Sequence, residues 1–137
     1  MIFKWRREFF VFLLVTSLTG CAGLLSSSPQ EQVLARSQER LDLLMDREVE
    51  AAFEYATPGY RSSHTVLQYD KKFGGAKTLW QAARAAEAYC DQSVDPVERC
   101  AVRVEIDYTT RSLGYMETTD LTETWIKSGG DWYIFLN

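Results

Sequence analysis

The residues of this 137-residue chain that could do chemistry are few: three cysteines, one histidine and one isolated Thr57-Pro58-Gly59-Tyr60-Arg61 segment. Cys90 and Cys100 stand ten apart, and two thiols so placed can form a disulfide, supply half of a metal site, or stay free. A structural zinc site needs four donors at short spacings, and His64 is the only candidate for a third. One histidine rules out a multi-histidine metal centre, and with no serine motif beside it a Ser-His-Asp arrangement has no support. Gly74-Gly75 and Gly129-Gly130 read as turns, so no phosphate-cradling loop is present. Arg61 could bind an anion or pair with one of the many carboxylates. These residues point to no metal, no cofactor and no catalytic set. The fate of Cys90 and Cys100 then depends on the compartment.

That compartment is legible at the start of the chain. Lys4, Arg6 and Arg7 precede an apolar run from Phe9 to Val15 that continues through Thr16 and Ser17 to Leu18. A basic stretch followed by so short an apolar one is a secretory signal, well under the roughly 20 apolar residues that span a bilayer. It ends in Leu18-Thr19-Gly20-Cys21-Ala22, which resembles the lipobox of bacterial lipoproteins. The resemblance implies removal of residues 1–20, lipid on Cys21, and, with Ala22 in place of aspartate, delivery to the outer membrane on its periplasmic side. The alternative is an ordinary secretory signal cut near Ala22. Several acyl chains anchor durably where one binds marginally. Residues 21–29, with Ser26, Ser27 and Ser28 in a row, read as a flexible tether.

Loss of the leader removes three cations and one anion and takes the formal charge from −4 to −6. Such acidity excludes nucleic acid as the main partner. What remains, residues 30–137, has the length of one domain with one core. In an oxidising periplasm Cys90 and Cys100 favour a disulfide.

Two halves of different period must position these groups. From Gln30 to Met45, Val33, Leu34, Leu41, Leu44 and Met45 recur at helical spacing among Glu31, Arg36, Glu39, Arg40 and Asp42, and Pro29 is placed to start the helix. A second helix begins near Asp46, carries Val49, Ala52, Phe53 and Tyr55, and is stopped by Thr57-Pro58-Gly59, which makes a helical hairpin. A short third helix is expected from Ser63 to Phe73, capped by Ser62 or Ser63 and ended by Gly74-Gly75. The period then changes to two. Val102, Val104, Ile106 and Tyr108 alternate with Arg103, Glu105 and Asp107 in a strand from Ala101 to Thr110; Tyr115–Lys127 and Asp131–Leu136 are further strands about a hairpin turn at Ser128-Gly129-Gly130.

The ambiguous stretch is Lys77–Cys90, whose five alanines favour helix by propensity. A strand is the better reading, because setting Cys90 opposite Cys100 brings complementary residues together. Asp91 then meets Arg99, Glu87 meets Arg103, Ala88 meets Val102, Ala86 meets Val104, Ala85 meets Glu105 and Ala83 meets Asp107. Small alanines there leave room for bulkier residues arriving from the helices.

The expected fold is α+β, with N-terminal helices packed in a curved four-stranded antiparallel sheet. This order, together with Ala51–Arg61, the two cysteines, and Glu123-Thr124-Trp125-Ile126 followed by Gly130-Asp131-Trp132-Tyr133, resembles the NTF2-like superfamily. The resemblance implies a cone with a ligand pocket, for which Phe53, Tyr60, Arg61, Tyr69, Trp80, Tyr108, Trp125 and Trp132 are the candidate lining residues. Rings of this size also simply fill cores. It further implies a small hydrophobic ligand or an envelope protein as partner, and homodimerisation through the outer sheet face. Some members of that superfamily are proton-transfer enzymes, which would call on Asp70, Glu105, Asp107 or Glu123 as base with Tyr60 or Tyr108 as donor. No motif matches those enzymes residue by residue, and Glu105 and Asp107 alternate with the apolar positions of their strand, so none is assigned a catalytic role. The function expected is that of a lipid-anchored binding module, with a small proton-transfer enzyme or a structural adaptor of the envelope as alternatives.

Overall fold

A computed structural model describes residues 27–73, 79–110 and 114–137. The leader and Cys21 lie outside the described residues.

Helix α1 (Pro29–Met45) begins where its sequence dictates. Ser28 caps it: its hydroxyl accepts from the Glu31 N–H, the Glu31 carboxylate accepts from the Ser28 N–H, and Pro29 takes the first helical position. Ser27 and Ser28 are thereby tied to the helix, so the described end of the expected tether is structured; Gln32 Nε2 also donates to the Ser27 carbonyl. Arg47, with φ of 65°, turns the chain out of α1.

The second helix is much shorter than its propensity suggests. Helix α2 covers only Val49–Phe53, because the next residues pair with the last strand: Ile134 N–H donates to the Tyr55 carbonyl (2.8 Å) and Thr57 N–H to the Ile134 carbonyl (3.2 Å). Thr57-Pro58, read as a stop, is a start. Thr57 caps helix α3 (Pro58–Ser63), accepting from the Tyr60 N–H, and Pro58 occupies the first turn. Helix α4 (Val66–Phe73) is separate, and its cap is Thr65 instead of Ser62 or Ser63, with Gln68 returning the bond. The described residues therefore form four helices in place of the three expected, because two local capping signals outweigh continuous helical propensity.

Strands β1 (Trp80–Cys90), β2 (Arg99–Thr109), β3 (Met116–Ser128) and β4 (Asp131–Ile134) form one open antiparallel sheet in sequence order. Gly129 and Gly130 both hold positive φ, which the tight β3–β4 hairpin requires. Cys90 and Cys100 are directly paired across β1 and β2 and joined as a disulfide. From there the expected register holds through Tyr89–Ala101, Ala88–Val102 and Glu87–Arg103. It then slips at bulges on Ala86 and Gln81, so Ala85 meets Val104, Arg84 meets Glu105, Ala83 meets Ile106 and Ala82 meets Asp107. The slip has a physical gain: Arg84 reaches two carboxylates on the outer face, and small Ala83 is buried on the inner one.

Helix α1 meets the sheet on that inner face, α2 packs against α1, and α4 against α2. Val33, Leu41 and Leu44 of α1, with Phe53, Tyr60 and Tyr69, bury against Val102, Val104, Ile106, Trp125, Trp132 and Ile134. Even-numbered residues of β2 point inward and odd-numbered ones outward, the alternation that a sheet with one covered face imposes.

Candidate functional site

Helix α1 carries two polar residues in its apolar stripe, Ser37 and the charged Arg40. Val33, Ser37, Arg40, Leu41 and Leu44 are its buried positions, and Arg40 is only 1% exposed. A guanidinium in such a place needs partners. Its Nη1 donates to Glu123 Oε1 of β3 (2.8 Å) and its Nε to the Tyr69 hydroxyl of α4 (2.9 Å), which in turn donates to the Ala52 carbonyl (3.3 Å). The ring of Phe73 lies 4.7 Å from the guanidinium carbon. Among the described residues, Arg40 Nη2 has no hydrogen-bond partner. Glu123 accepts two further bonds, from Ser37 Oγ (2.7 Å) and Trp125 Nε1 (2.9 Å), so three donors from α1 and β3 converge on one carboxylate. Burial is the main cause that pushes the Tyr69 hydroxyl above its ordinary value, partly opposed by Arg40.

Above this pair lies a cleft of about 680 Å³. Its walls are Leu41, Phe73, Trp80, Val104, Ile106 and Leu121; Lys72 and Arg99 stand at its rim, and Ile134–Asn137 forms one lip. Apolar walls around a small polar centre suit a molecule with an apolar body and a hydrogen-bond acceptor. Glu123 is poorly arranged as a proton acceptor, since three donors already occupy it.

The outer sheet face is built from charge. Arg84 pairs with Asp107 (3.0 Å) and Glu105 (3.3 Å); Arg103 pairs with Glu105 (2.7 Å), Glu87 (3.3 Å) and Asp120 (3.5 Å). The Arg103 and Arg84 guanidiniums hold Glu105 below its ordinary value, while the Thr118 hydroxyl and Arg84 do the same for Asp107. Tyr89, then Arg103, lowers Glu87.

The candidate pocket residues are therefore scattered. Trp80 lines the cleft. Tyr69 and Trp125 stand behind it, bonded to Arg40 and Glu123. Phe53 packs edge-on against Tyr60 and Tyr69 in the core, and Tyr60 stacks on His64 at 4.0 Å. Arg61 pairs with Glu54, Trp132 donates to Gln32, and Tyr108 donates to Glu117. Of the carboxylates, Glu105 and Asp107 belong to the outer lattice, Asp70 borders a shallow depression with Arg47 and Glu50, and Glu123 alone underlies the cleft. Sequence reasoning missed Arg40, although its place seven residues after Val33 and beside Leu41 put it on the apolar stripe. Among the described residues, no group of three or more His, Cys, Asp or Glu is placed to hold a metal ion, and no helix is long and apolar enough to cross a membrane.

No protein-family model matches this chain, and neither does any curated protein sequence. It is similar to the solution structure of a SEC-C motif-containing protein from Rhodopseudomonas palustris, at 14% identity and a TM-score of 0.56, over 74% of this chain and 73% of that one. That neighbour corrects the resemblance drawn from sequence: it is a SEC-C motif protein, not an NTF2-like lipoprotein. The segments that suggested the family have local duties instead. Ala51–Arg61 turns the chain through two short helices into a bridge with Ile134, and Trp125 and Trp132 fill the core, demands that any helix-on-sheet domain could make. At this identity the likeness bears on the fold alone, an α+β arrangement of helices followed by an open four-stranded antiparallel sheet.

Proposed function

We propose that this chain is a membrane-tethered binding module, held by lipid on Cys21 at the periplasmic face of the outer membrane, whose domain of residues 30–137 takes a small, mostly apolar ligand in its cleft. The leader ending in Leu18-Thr19-Gly20-Cys21 supports the tether. A paired Cys90 and Cys100 suits an oxidising compartment.

The observation that carries the ligand reading is the buried Arg40–Glu123 pair under apolar walls, with one guanidinium nitrogen lacking a partner among the described residues. A buried donor left unbonded costs about 1–3 kcal/mol, which a ligand oxygen would recover. Native mass spectrometry of the chain purified from its own host tests this directly. The expected result is a retained small molecule that is lost in Trp80→Ala. A wild-type chain that arrives bare, and whose tryptophan fluorescence ignores amphipathic acyl compounds, would refute the ligand reading. For the tether, Cys21→Ser should move the chain from the membrane to the soluble fraction and abolish the lipid mass.

A further inference from the structure

The two sides of the sheet are finished differently. Along β1, Gln38 of α1 closes the outer edge with its side-chain amide, Nε2 donating to the Ala83 carbonyl (3.2 Å) and Oε1 accepting from the Ala85 N–H (2.9 Å). On the far side, β4 covers only Trp125–Ser128 of β3, and the bond from Phe135 N–H to the Thr124 carbonyl (2.8 Å) ends that cover. In an antiparallel strand the N–H and C=O of one residue point the same way, alternating along the chain. The outward groups of β3 therefore continue from Thr124 to Thr122, Asp120, Thr118 and Met116, and among the described residues no backbone group pairs with them. Exposed apolar side chains gather on the same stretch: Tyr115 is 69% exposed, Met116 67% and Leu121 46%. Open, apolar-flanked strand edges pair with further strands.

We propose that a second copy of this chain fills this edge, β3 against β3, antiparallel about a two-fold axis at Thr119. The partner's chemistry follows from charge. Each acid of β3 is already engaged within its own chain, Glu117 by the Tyr108 hydroxyl (2.7 Å), Asp120 by Arg103 (3.5 Å) and Glu123 by Arg40 (2.8 Å), so the edge does not call for a basic peptide. The outer sheet face, the other surface on which a dimer was expected, is a lattice of internally paired charges.

The register is the one that pairs the longest open stretch of β3, Met116–Thr122, without conflict; an axis at Thr118 would pair only Met116–Asp120. An axis at Asp120 would set Asp120 against its own copy and Glu117 against Glu123, and like charges directly opposite are destabilising. An axis at Leu121 would drive Thr118 into the place opposite Thr124 that Phe135 already holds. With the axis at Thr119, threonine faces threonine, Thr118 faces Asp120, Glu117 faces Leu121 and Met116 faces Thr122. No like charges meet. Leu121 and Thr122 also line the cleft, so the second copy's strand would extend one of its walls. The contact does not depend on the cleft being occupied.

Cysteine crosslinking of the full chain in its own membranes tests both the contact and the register, with the wild type as control for Cys21, Cys90 and Cys100. Facing residues of antiparallel strands have Cβ atoms about 4.5–5.5 Å apart, close enough to oxidise, whereas an offset of four residues separates them by roughly 13 Å. Thr119→Cys should shift most of the chain to twice its mass on a non-reducing gel, and Leu121→Cys should leave it single. Adding Thr122→Pro, which removes an outward N–H from the edge, should abolish the shift. The proposal is overturned if Thr119→Cys stays single, if positions 119 and 121 crosslink equally, or if a folded proline variant still crosslinks. Should the proline variant fail to fold, the contrast between 119 and 121 decides alone.

Discussion

Charge is paired twice in this domain, once beneath the cleft and once on the solvated face of the sheet, and burial separates the two. Arg40 and Glu123 have side chains 2% and 11% exposed; Tyr69 accepts from Arg40, and Ser37 and Trp125 donate to Glu123. Arg84 and Arg103 are 50% and 34% exposed and share their carboxylates loosely. The inner network joins α1, α4 and β3 and the outer one joins β1, β2 and β3, and only the inner one is shielded from water. A buried pair stabilises little relative to apolar side chains of the same volume, but losing one partner is severe; an exposed pair contributes little and costs little to lose.

The largest effect should therefore come from Glu123→Gln, which keeps the shape and an acceptor for Ser37 and Trp125 but leaves the Arg40 charge uncompensated. A loss of about 3–5 kcal/mol is expected in urea unfolding. Adding Arg40→Met to that variant removes the stranded charge and should recover most of the loss. If the two substitutions simply add, the pair is not coupled as its geometry requires.

Next in size is the disulfide. Cys100 sits on the inner face at the start of β2, and its pairing with Cys90 pins the register that sorts even residues of β2 inward and odd ones outward. Cys100→Ala should cost about 2–4 kcal/mol, read as a lowered melting temperature that reductant no longer changes. An unaltered melting temperature would mean the register is held by the side chains alone.

How much of this was legible in the sequence depends on the range of the interaction. The alternation of Val102, Val104 and Ile106 with Arg103, Glu105 and Asp107 marked β2, and Ser128-Gly129-Gly130 marked the β3–β4 hairpin, because both signals are local. The cysteines fixed four pairs of the β1–β2 register, and no nearby residue announced the bulge at Ala86. Thr57-Pro58 is a local signal with two meanings, stop and start, and the Tyr55–Ile134 bond decided between them from the far end of the chain. The site was least legible. Arg40 and Glu123 are 83 residues apart, and nothing near either reveals the other. Aromatic content, which did suggest a pocket, largely describes the core.

The smallest effects belong to the outer lattice, where the sign with pH matters more than the size. Glu87, Glu105 and Asp107 all titrate below their ordinary values of 4.5, 4.5 and 3.8. A carboxylate lowered on folding stabilises fully above its unfolded value and loses that stabilisation as pH falls through the folded one. The lattice should therefore fail on the acid side, below about pH 4.5, and more readily in high salt, which screens exposed pairs. Tyr69 behaves oppositely: raised above its ordinary value of 10.0, it favours the fold up to that pH and gives way as the pH climbs further. Arg103→Ala, which removes the cation shared by Glu87, Glu105 and Asp120, should leave the neutral-pH melting temperature nearly unchanged while flattening its fall between about pH 5 and pH 2. A loss at neutral pH as large as that of Glu123→Gln would show that exposure does not divide the two networks, because solvent would then have failed to screen the pairs it reaches.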